Sequence, residues 1–242
     1  MKFTKMCAAV AGLFLSTVSM AASVHVKFDS NIFNGSGYDA VQIVYPSGSA
    51  SVAAGRFQGT GSNVVGASPS IFVDGLDDLY MYCYDLYENV RSGQEADYTI
   101  NFDGPTARTL DFLGAVNFTL NGGSNDWADP YAWLHPVSAA QGAAIQLGIW
   151  ESKYDTGWDL GTGSFRASGL ESATNNWWQQ FRSAVLDPGV ADLDPSLAMT
   201  LEAPGVQDMI TGDPQPIPEP ASALLVALGL AGLGAVRGRR QR

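Results

Sequence analysis

Alternating apolar and polar positions dominate the first half of the chain. Val24, Val26 and Phe28 alternate with polar neighbours, and similar apolar runs recur over residues 41–45 and 98–102. A period of two residues places the apolar side chains on one face of a β-strand. These runs predict a β-rich first half, folded as a sandwich or a barrel-like sheet.

The strongest strand signal runs over residues 79–87, which read Leu-Tyr-Met-Tyr-Cys-Tyr-Asp-Leu-Tyr. Alternation would direct Leu79, Met81, Cys83 and Asp85 to one face and three tyrosines to the other. Cys83 would then share a face with apolar neighbours, which suits a sulfur atom kept away from water.

The hydrophobic spacing changes to a helical pattern in the second half. Ser138 is a predicted N-cap for a helix from about Ala139 to Tyr154, which is apolar on most sides and therefore largely buried. A last helix is predicted over about 170–186, where Trp178 and Phe181 follow helical spacing. Strands first and helices gathered later predict an α+β fold.

Two segments are less clear from their pattern. Residues 110–120 fit either a strand broken at Gly114 or a short helix, and we predict a strand in the later half of this segment. Residues 205–211 are predicted to return as a final strand.

The first 21 residues have the layout of a cleaved signal peptide. Lys2 and Lys5 precede an apolar run that ends at residue 18, and Ser19-Met20-Ala21 forms a small-x-small cleavage site. The run is too short and ends in residues too small for a membrane anchor to be the better interpretation. We therefore predict an exported protein.

The C-terminal end combines three features in a fixed order. A proline-rich linker over 212–220 ends in the triplet Pro218-Glu219-Pro220, and an apolar run of about 16 residues follows. At a helical rise of ~1.5 Å this run covers about 24 Å, just short of the ~30 Å hydrocarbon core. The chain closes with an arginine cluster, which comprises Arg237, Arg239, Arg240 and Arg242.

This tripartite end resembles the PEP-CTERM sorting signal of Gram-negative bacteria that make exopolysaccharide. An ordinary tail anchor would account for the apolar span and the arginines but not for the Pro-Glu-Pro triplet. The resemblance implies an exosortase-type enzyme as a processing partner. It also implies transient anchoring in the inner membrane through a C-terminal transmembrane helix over 221–242, with the arginines on the cytoplasmic side.

Residues 22–211 are predicted to form the globular domain. Between the processed ends the chain has seven basic residues against 24 acidic ones, a net charge of about −17. Such a charge disfavours nucleic acid and anionic membrane surfaces as partners. It also leaves Cys83 as the one cysteine of the mature protein, because Cys7 lies in the leader. A lone thiol in an oxidising compartment is either buried and inert or chemically occupied.

Two stretches together favour an occupied thiol. Tyr82-Cys83-Tyr84-Asp85 and the later segment Ile145-Gln146-Leu147-Gly148-Ile149-Trp150 resemble the paired signature of bacterial surface thioester domains. The resemblance implies that Cys83 and Gln146 condense to an internal thioester, which a nucleophile on a target later opens. Tyr82, Tyr84 and Trp150 would shield this bond.

One position departs from that signature. The family pattern has alanine where this chain has Gly148, and glycine within a helix costs about 1 kcal/mol relative to alanine. Gly148 would permit close approach of the Cys83 strand, or it would mark a relative that has lost the bond. The sequence leaves both interpretations open.

Enzyme alternatives have weaker support. A Cys–His hydrolase would need His25 or His135 as a base, and neither lies in a protease-like context. A glycosidase pair such as Glu151 with Asp155 does not stand out from the many carboxylates, and only separation in space decides that chemistry. We therefore predict a protein that is not an enzyme and needs no cofactor.

A binding module is the third possibility. Six aromatic residues could supply stacking platforms for a carbohydrate, although aromatic residues at helical spacing are more often core. These are Trp127, Tyr131, Trp133, Trp158, Trp177 and Trp178. Two polar clusters, around 121–129 and 187–194, lack the spacing of a calcium loop and fit ordinary turns, so no metal site is predicted.

The sequence thus predicts a cell-surface or extracellular-matrix protein, acting as a covalent adhesin through Cys83 and Gln146. Its target would offer an amine or hydroxyl nucleophile. The alternative is a structural or carbohydrate-binding component of the exopolysaccharide or biofilm matrix in which the cysteine is merely buried.

Overall fold

A computed structural model describes residues 21–212, which form a closed barrel, a small separate sheet and three helices. The barrel strands follow the order β1-β4-β5-β9-β8-β6, with antiparallel neighbours, and the small sheet has the order β3-β2-β7. The strands are β1 Ser23–Phe28, β2 Asp39–Tyr45, β3 Gly48–Ala54, β4 Phe57–Val65, β5 Leu79–Cys83, β6 Glu95–Asn101, β7 Arg166–Ser168, β8 Ala198–Ala203 and β9 Val206–Gly212.

The helices all follow strand β6 in the chain and pack on one another. They are α1 Ala107–Leu120, α2 Ala139–Tyr154 and α3 Ser172–Val185. The Thr106 and Ser138 side chains cap α1 and α2 by accepting N–H bonds from Thr109 and Gln141. The mixed α/β architecture with a β-rich first half confirms the coarse fold prediction, and the barrel is the form that the strands adopt.

One face of the barrel strands fills the barrel interior. Cys83 pairs with Met209, which also pairs with Leu201, so these three side chains share that face. Phe28 and Tyr98 meet there edge to face, with ring centroids 6.4 Å apart. Cys83 therefore lies in the interior-facing row, at the end of β5.

Several sequence predictions of element boundaries need correction. Residues 110–120 belong to helix α1, not to a strand, and Gly114 does not break it. A Cβ on Gly114 would lie 2.2 Å from the Ala191 carbonyl oxygen, so this glycine lets the 191–193 segment pack against α1. Strand β5 ends at Cys83 instead of continuing to Tyr87. Strand β8 was not predicted.

Helix α2 matches its predicted bounds, and the predicted final strand corresponds to β9. Gly212, assigned from the sequence to the linker, ends β9. The signal peptide up to residue 20, and the linker and sorting tail from residue 213 onward, lie outside the described residues. Among residues 21–212, no helix is both long enough and apolar enough to cross a bilayer.

Gly148 sits where helices α1 and α2 touch. A Cβ there would lie 1.9 to 2.4 Å from three carbons of the Phe112 ring. The close approach is therefore that of Phe112 on α1 and not, as the sequence suggested, that of the Cys83 strand. Phe112 is fully buried among Trp158, Trp178 and Phe181, so its ring has no space into which it could move.

We expect Gly148→Ala to lower the free energy of unfolding by about 1–3 kcal/mol, because overpacking outweighs the better helix propensity of alanine. Urea denaturation measures the change. Phe112→Leu, combined with Gly148→Ala, should recover part of the loss by making room for the methyl group. A Gly148→Ala protein more stable than the wild type would contradict the packing explanation.

Candidate functional site

The end of strand β5 lacks a strand neighbour on one side. Strand β4 begins at Phe57, which pairs with Met81, so no β4 residue pairs with Cys83. On the other side, β9 pairs with Tyr82 and Cys83, and its Asp208 carbonyl accepts the Tyr84 N–H. The N–H and C=O groups of Cys83 consequently face a gap in the barrel ladder.

The side-chain amide of Gln146 fills this gap. Cys83 N–H donates to Gln146 Oε1 at 2.9 Å, and Gln146 Nε2 donates to the Cys83 carbonyl oxygen at 2.8 Å. The amide therefore pairs with Cys83 as a peptide group of a neighbouring strand would. Gln146 is 0% exposed, and its polar atoms would be expensive to bury without these two bonds.

Helix α2 brings Gln146 to this position because it crosses the core. Its residues from Gln141 to Ser152 are buried, so a polar side chain in this stretch must find a partner inside the protein. The tertiary fold thus brings together Cys83 and Gln146, which are 63 positions apart in sequence.

A cleft of about 370 Å³ opens beside Cys83. It lies between the small sheet, the segment 86–90 and the side chain of Trp150, one helical turn after Gln146. Most of the residues that line it are apolar or aromatic, but polar atoms, including backbone groups, contribute about as much of the wall surface as apolar atoms. The residues that line the cleft include Tyr45, Phe57, Tyr87, Glu88, Trp150 and Gln207.

The Cys83 thiol is 5% exposed and stays protonated at neutral pH. Burial raises the pKa of the Cys83 thiol well above its usual value, and the nearby Asp85 carboxylate raises it further. Because the thiolate is the reactive form of cysteine, this environment keeps the free thiol chemically quiet.

Trp150 is the predicted shielding residue that lines the cleft with Cys83. Tyr82 and Tyr84 point elsewhere. The Tyr82 hydroxyl donates to the Trp133 carbonyl oxygen on the outer face of the barrel. The Tyr84 hydroxyl donates to the Gly104 carbonyl oxygen and accepts the Thr106 N–H. Neither tyrosine lines the cleft, because alternation along β5 directs their rings away from the Cys83 face.

A group of acidic residues lies behind the cleft wall. Burial raises the pKa of Asp85 to about 7, and a hydrogen bond with Glu88 and the negative charge of Asp208 add to this shift. Lys153 opposes it, and the Lys153 ammonium lies 3.8 Å from the Tyr84 ring centre. The Gln207 amide donates to the Asp85 carboxylate and to its carbonyl oxygen.

The alternation pattern indicated only one member of this acidic group. Asp85 was predicted to share the Cys83 face, but it was not assigned a role. Gln207 and Glu88 had no signal, because they come from β9 and a loop that only the barrel closure brings to Cys83.

The histidines contribute nothing to the cleft. His25 Nδ1 lies 2.7 Å from Asp97 Oδ1 on the barrel exterior. His135 Nε2 lies 2.9 Å from Asp74 Oδ1, and this hydrogen bond raises the pKa of His135. A hydrolase with Cys83 and either histidine therefore finds no support in the geometry.

Glu151 and Asp155 anchor the loop after α2. Glu151 Oε1 accepts the Asp159 N–H at 2.7 Å, and Asp155 accepts N–H groups of the same loop, including that of Thr156. Burial raises the pKa of Glu151 to about 7. These bonds hold both carboxylates to the loop backbone, whereas Glu151 Oε2 is buried without a hydrogen-bond partner.

Three of the six proposed stacking aromatics are core residues. Trp133, Trp158 and Trp178 are buried, whereas Trp127, Tyr131 and Trp177 are partly exposed. The two polar turn clusters bond to their own backbone; for example, Asp194 accepts the Ser196 N–H. Within residues 21–212 no three acidic, histidine or cysteine side chains converge as a metal site would require.

Comparison with known proteins gives no relative from which to infer a function. No family model matches the chain, and neither a curated protein nor a solved structure is significantly similar to it. The function of this protein is therefore inferred from the geometry of the site.

We expect Gln146→Met to lower the free energy of unfolding by about 3 kcal/mol, because it leaves the buried N–H and C=O of Cys83 without partners. Cys83→Ala is the matched control, since it keeps those backbone groups paired and should cost only about 1 kcal/mol. Neither variant can form a thioester, because each lacks one of the two side chains. The comparison therefore isolates the hydrogen bonds of the Gln146 amide. Equal urea midpoints for the two would show that the amide pairing contributes nothing.

We expect Asp85→Asn to flatten the pH dependence of stability. The folded-state pKa of Asp85 is raised to about 7 from 3.8, so its contribution is fully present below about pH 4 and is lost as the pH rises through 7. Urea unfolding at several pH values in this window measures the slope. Asp103→Asn, at an exposed site, should leave the slope unchanged. An unaltered slope in Asp85→Asn would contradict a raised pKa of Asp85 in the folded protein.

Proposed function

We propose that this protein is a covalent adhesin in which Cys83 and Gln146 form an internal thioester that a nucleophile on the target opens. The observation that carries the proposal is the direct pairing of the Gln146 amide with the Cys83 backbone beside the cleft. A condensation between two side chains needs this kind of fixed proximity.

The chemistry of bond formation balances without a cofactor. The Cys83 sulfur attacks Gln146 Cδ, the C–Nε2 bond breaks, and ammonia leaves with the thiol proton. The Cys83 N–H already donates to Gln146 Oε1, so it would stabilise the negative charge that develops on this oxygen. The bond from Nε2 to the Cys83 carbonyl oxygen is lost with the ammonia.

Capture would be a second acyl transfer at the same carbon. An amine or hydroxyl of the target attacks the thioester carbonyl and forms an amide or ester bond to the Gln146 acyl group. The C–S bond breaks, and the proton of the nucleophile passes to the sulfur, so that Cys83 becomes a free thiol. The protein ends covalently attached to its target, so the event occurs once per molecule. The predicted absence of turnover is consistent with a protein that is not an enzyme.

The burial of the site supports the long lifetime that such a bond requires. Gln146 is fully buried, Cys83 nearly so, and Trp150 is among the residues that line the cleft beside Cys83. Excluding water from the carbonyl slows hydrolysis before a target arrives.

We further propose that the protein is exported and sorted to the cell surface or extracellular matrix. The support is in the sequence: the leader over 1–21, the Pro-Glu-Pro triplet and the arginine cluster. An exosortase-type enzyme would process the tail after transient anchoring in the inner membrane. The domain over 22–211 would then act outside the cell, in a biofilm or exopolysaccharide layer.

The second candidate is a non-covalent matrix component. It is favoured by the complete pairing of the Gln146 amide, since both of its polar atoms already have partners that complete the barrel ladder. In that case Gln146 is structural and Cys83 is a small buried hydrophobe.

Intact mass of the purified protein separates the two candidates. We expect a mass lower by one ammonia than the sequence requires, and a methylamine adduct on Gln146 after incubation with methylamine. Cys83→Ala and Gln146→Ala should each abolish both effects, because each removes one partner of the bond.

Gln141→Ala is the matched control, because Gln141 is a buried glutamine of the same helix that bonds to Val137 and not to Cys83. Its mass deficit should persist. A full-mass wild-type protein with a titratable Cys83 thiol would exclude the covalent mechanism and favour the matrix component.

A further inference from the structure

Strand β3 has an open edge. It is terminal in its sheet and pairs only with β2 among residues 21–212. A two-residue turn joins the two strands, so the closing pair Tyr45–Gly48 exchanges ladder hydrogen bonds. By alternation, Ser49, Ser51 and Ala53 direct their N–H and C=O groups outward, away from β2.

This edge forms a wall of the cleft beside Cys83. The four consecutive residues 50–53 all line the cleft, and the consecutive residues 86–90 line the wall across it. Because side chains alternate between the faces of a strand, a surface lined by consecutive residues presents the backbone edge. The cleft is thus a channel between two stretches of backbone, with Cys83 among its lining residues.

The edge has none of the usual protections against strand addition. Its sequence, Gly-Ser-Ala-Ser-Val-Ala-Ala, contains no charge and no proline, and its register with β2 has no bulge. Natural edge strands are commonly blocked by such features, and an unblocked edge is a template for another strand.

The charge around the cleft selects a basic occupant. Glu88 is the one charged side chain among the lining residues, and Asp85 and Asp208 lie behind it. The cation of this group, Lys153, is directed over the Tyr84 ring and does not line the cleft. The potential at the cleft is therefore negative on the side of Glu88.

We propose that the cleft receives an extended peptide segment of the target, which adds as a strand to the outer edge of β3 and places a basic residue near Glu88. Main-chain hydrogen bonds would supply the affinity, and the aromatic walls would select the side chains. The inference deepens the proposed function, because it identifies the partner as a polypeptide docked beside the reactive carbonyl. The docking itself needs no covalent bond.

The test uses the purified Cys83→Ser protein, in which no thioester can form. The probe is an end-blocked peptide of seven residues, alternating threonine and valine around a central lysine. Calorimetry should detect its binding, and a version with N-methylated backbone amides should bind about tenfold more weakly, because it loses strand hydrogen bonds. A version with glutamate in place of the lysine should also bind more weakly.

Two variants of the protein, at Ser51 and at Glu88, test the same contact by changing the cleft and not the peptide. Ser51→Pro removes an outward N–H without breaking the ladder to β2, and should weaken binding about tenfold. Ser51→Ala is the matched control and should bind normally. Glu88→Gln should weaken binding about threefold and reduce its dependence on salt.

Four results would overturn the inference. Three are no binding of the lysine peptide, equal binding of the N-methylated peptide, and normal binding by Ser51→Pro. The fourth is a dimer in sedimentation that Ser51→Pro dissociates, because a second copy would then occupy the edge. A full-mass wild-type protein that still binds the peptide at β3 would remove the covalent mechanism and leave the docking site.

Discussion

The hydrogen-bonded pair between the Gln146 side-chain amide and the Cys83 backbone is the contact on which the rest of the site depends. Strand β4 stops before it reaches Cys83, and the amide occupies the place where the next ladder bonds would be. One side chain thereby completes the hydrogen-bond ladder at the end of β5 and anchors helix α2 to the barrel.

The same arrangement supports both the stability of the fold and the proposed chemistry. Its two hydrogen bonds offset the free-energy cost of burying the Gln146 amide. A peptide-like pairing satisfies every polar atom of the amide, so the native fold is complete without any covalent bond. The N–H that completes the ladder is also the group that would stabilise an oxyanion on Oε1. The small sheet and the 86–90 segment form walls of the cleft beside Cys83.

Electrostatics around the site follow from packing carboxylates under a loop. Asp85, Glu88 and Asp208 gather where β5 ends and β9 begins, and one lysine does not neutralise them all. The fold accepts protonation of Asp85 near neutral pH instead. This acidic group and the quiet Cys83 thiol belong to one environment, since burial raises the pKa of both Asp85 and Cys83.

Local pattern by itself determined the strands with strict alternation, such as β1, and the bounds and cap of helix α2, because periodicity and capping act over a few residues. The resemblance to thioester domains, and not the pattern, singled out Gln146 and Trp150. The pattern misassigned 110–120, because Gly114 is required by a contact with residues 191–193 and not by the backbone of its own helix. Only the tertiary structure decided that Gly148 makes room for Phe112, that Gln207 joins the cleft and that the Gln146 amide meets the Cys83 backbone, because each contact joins segments far apart in the chain.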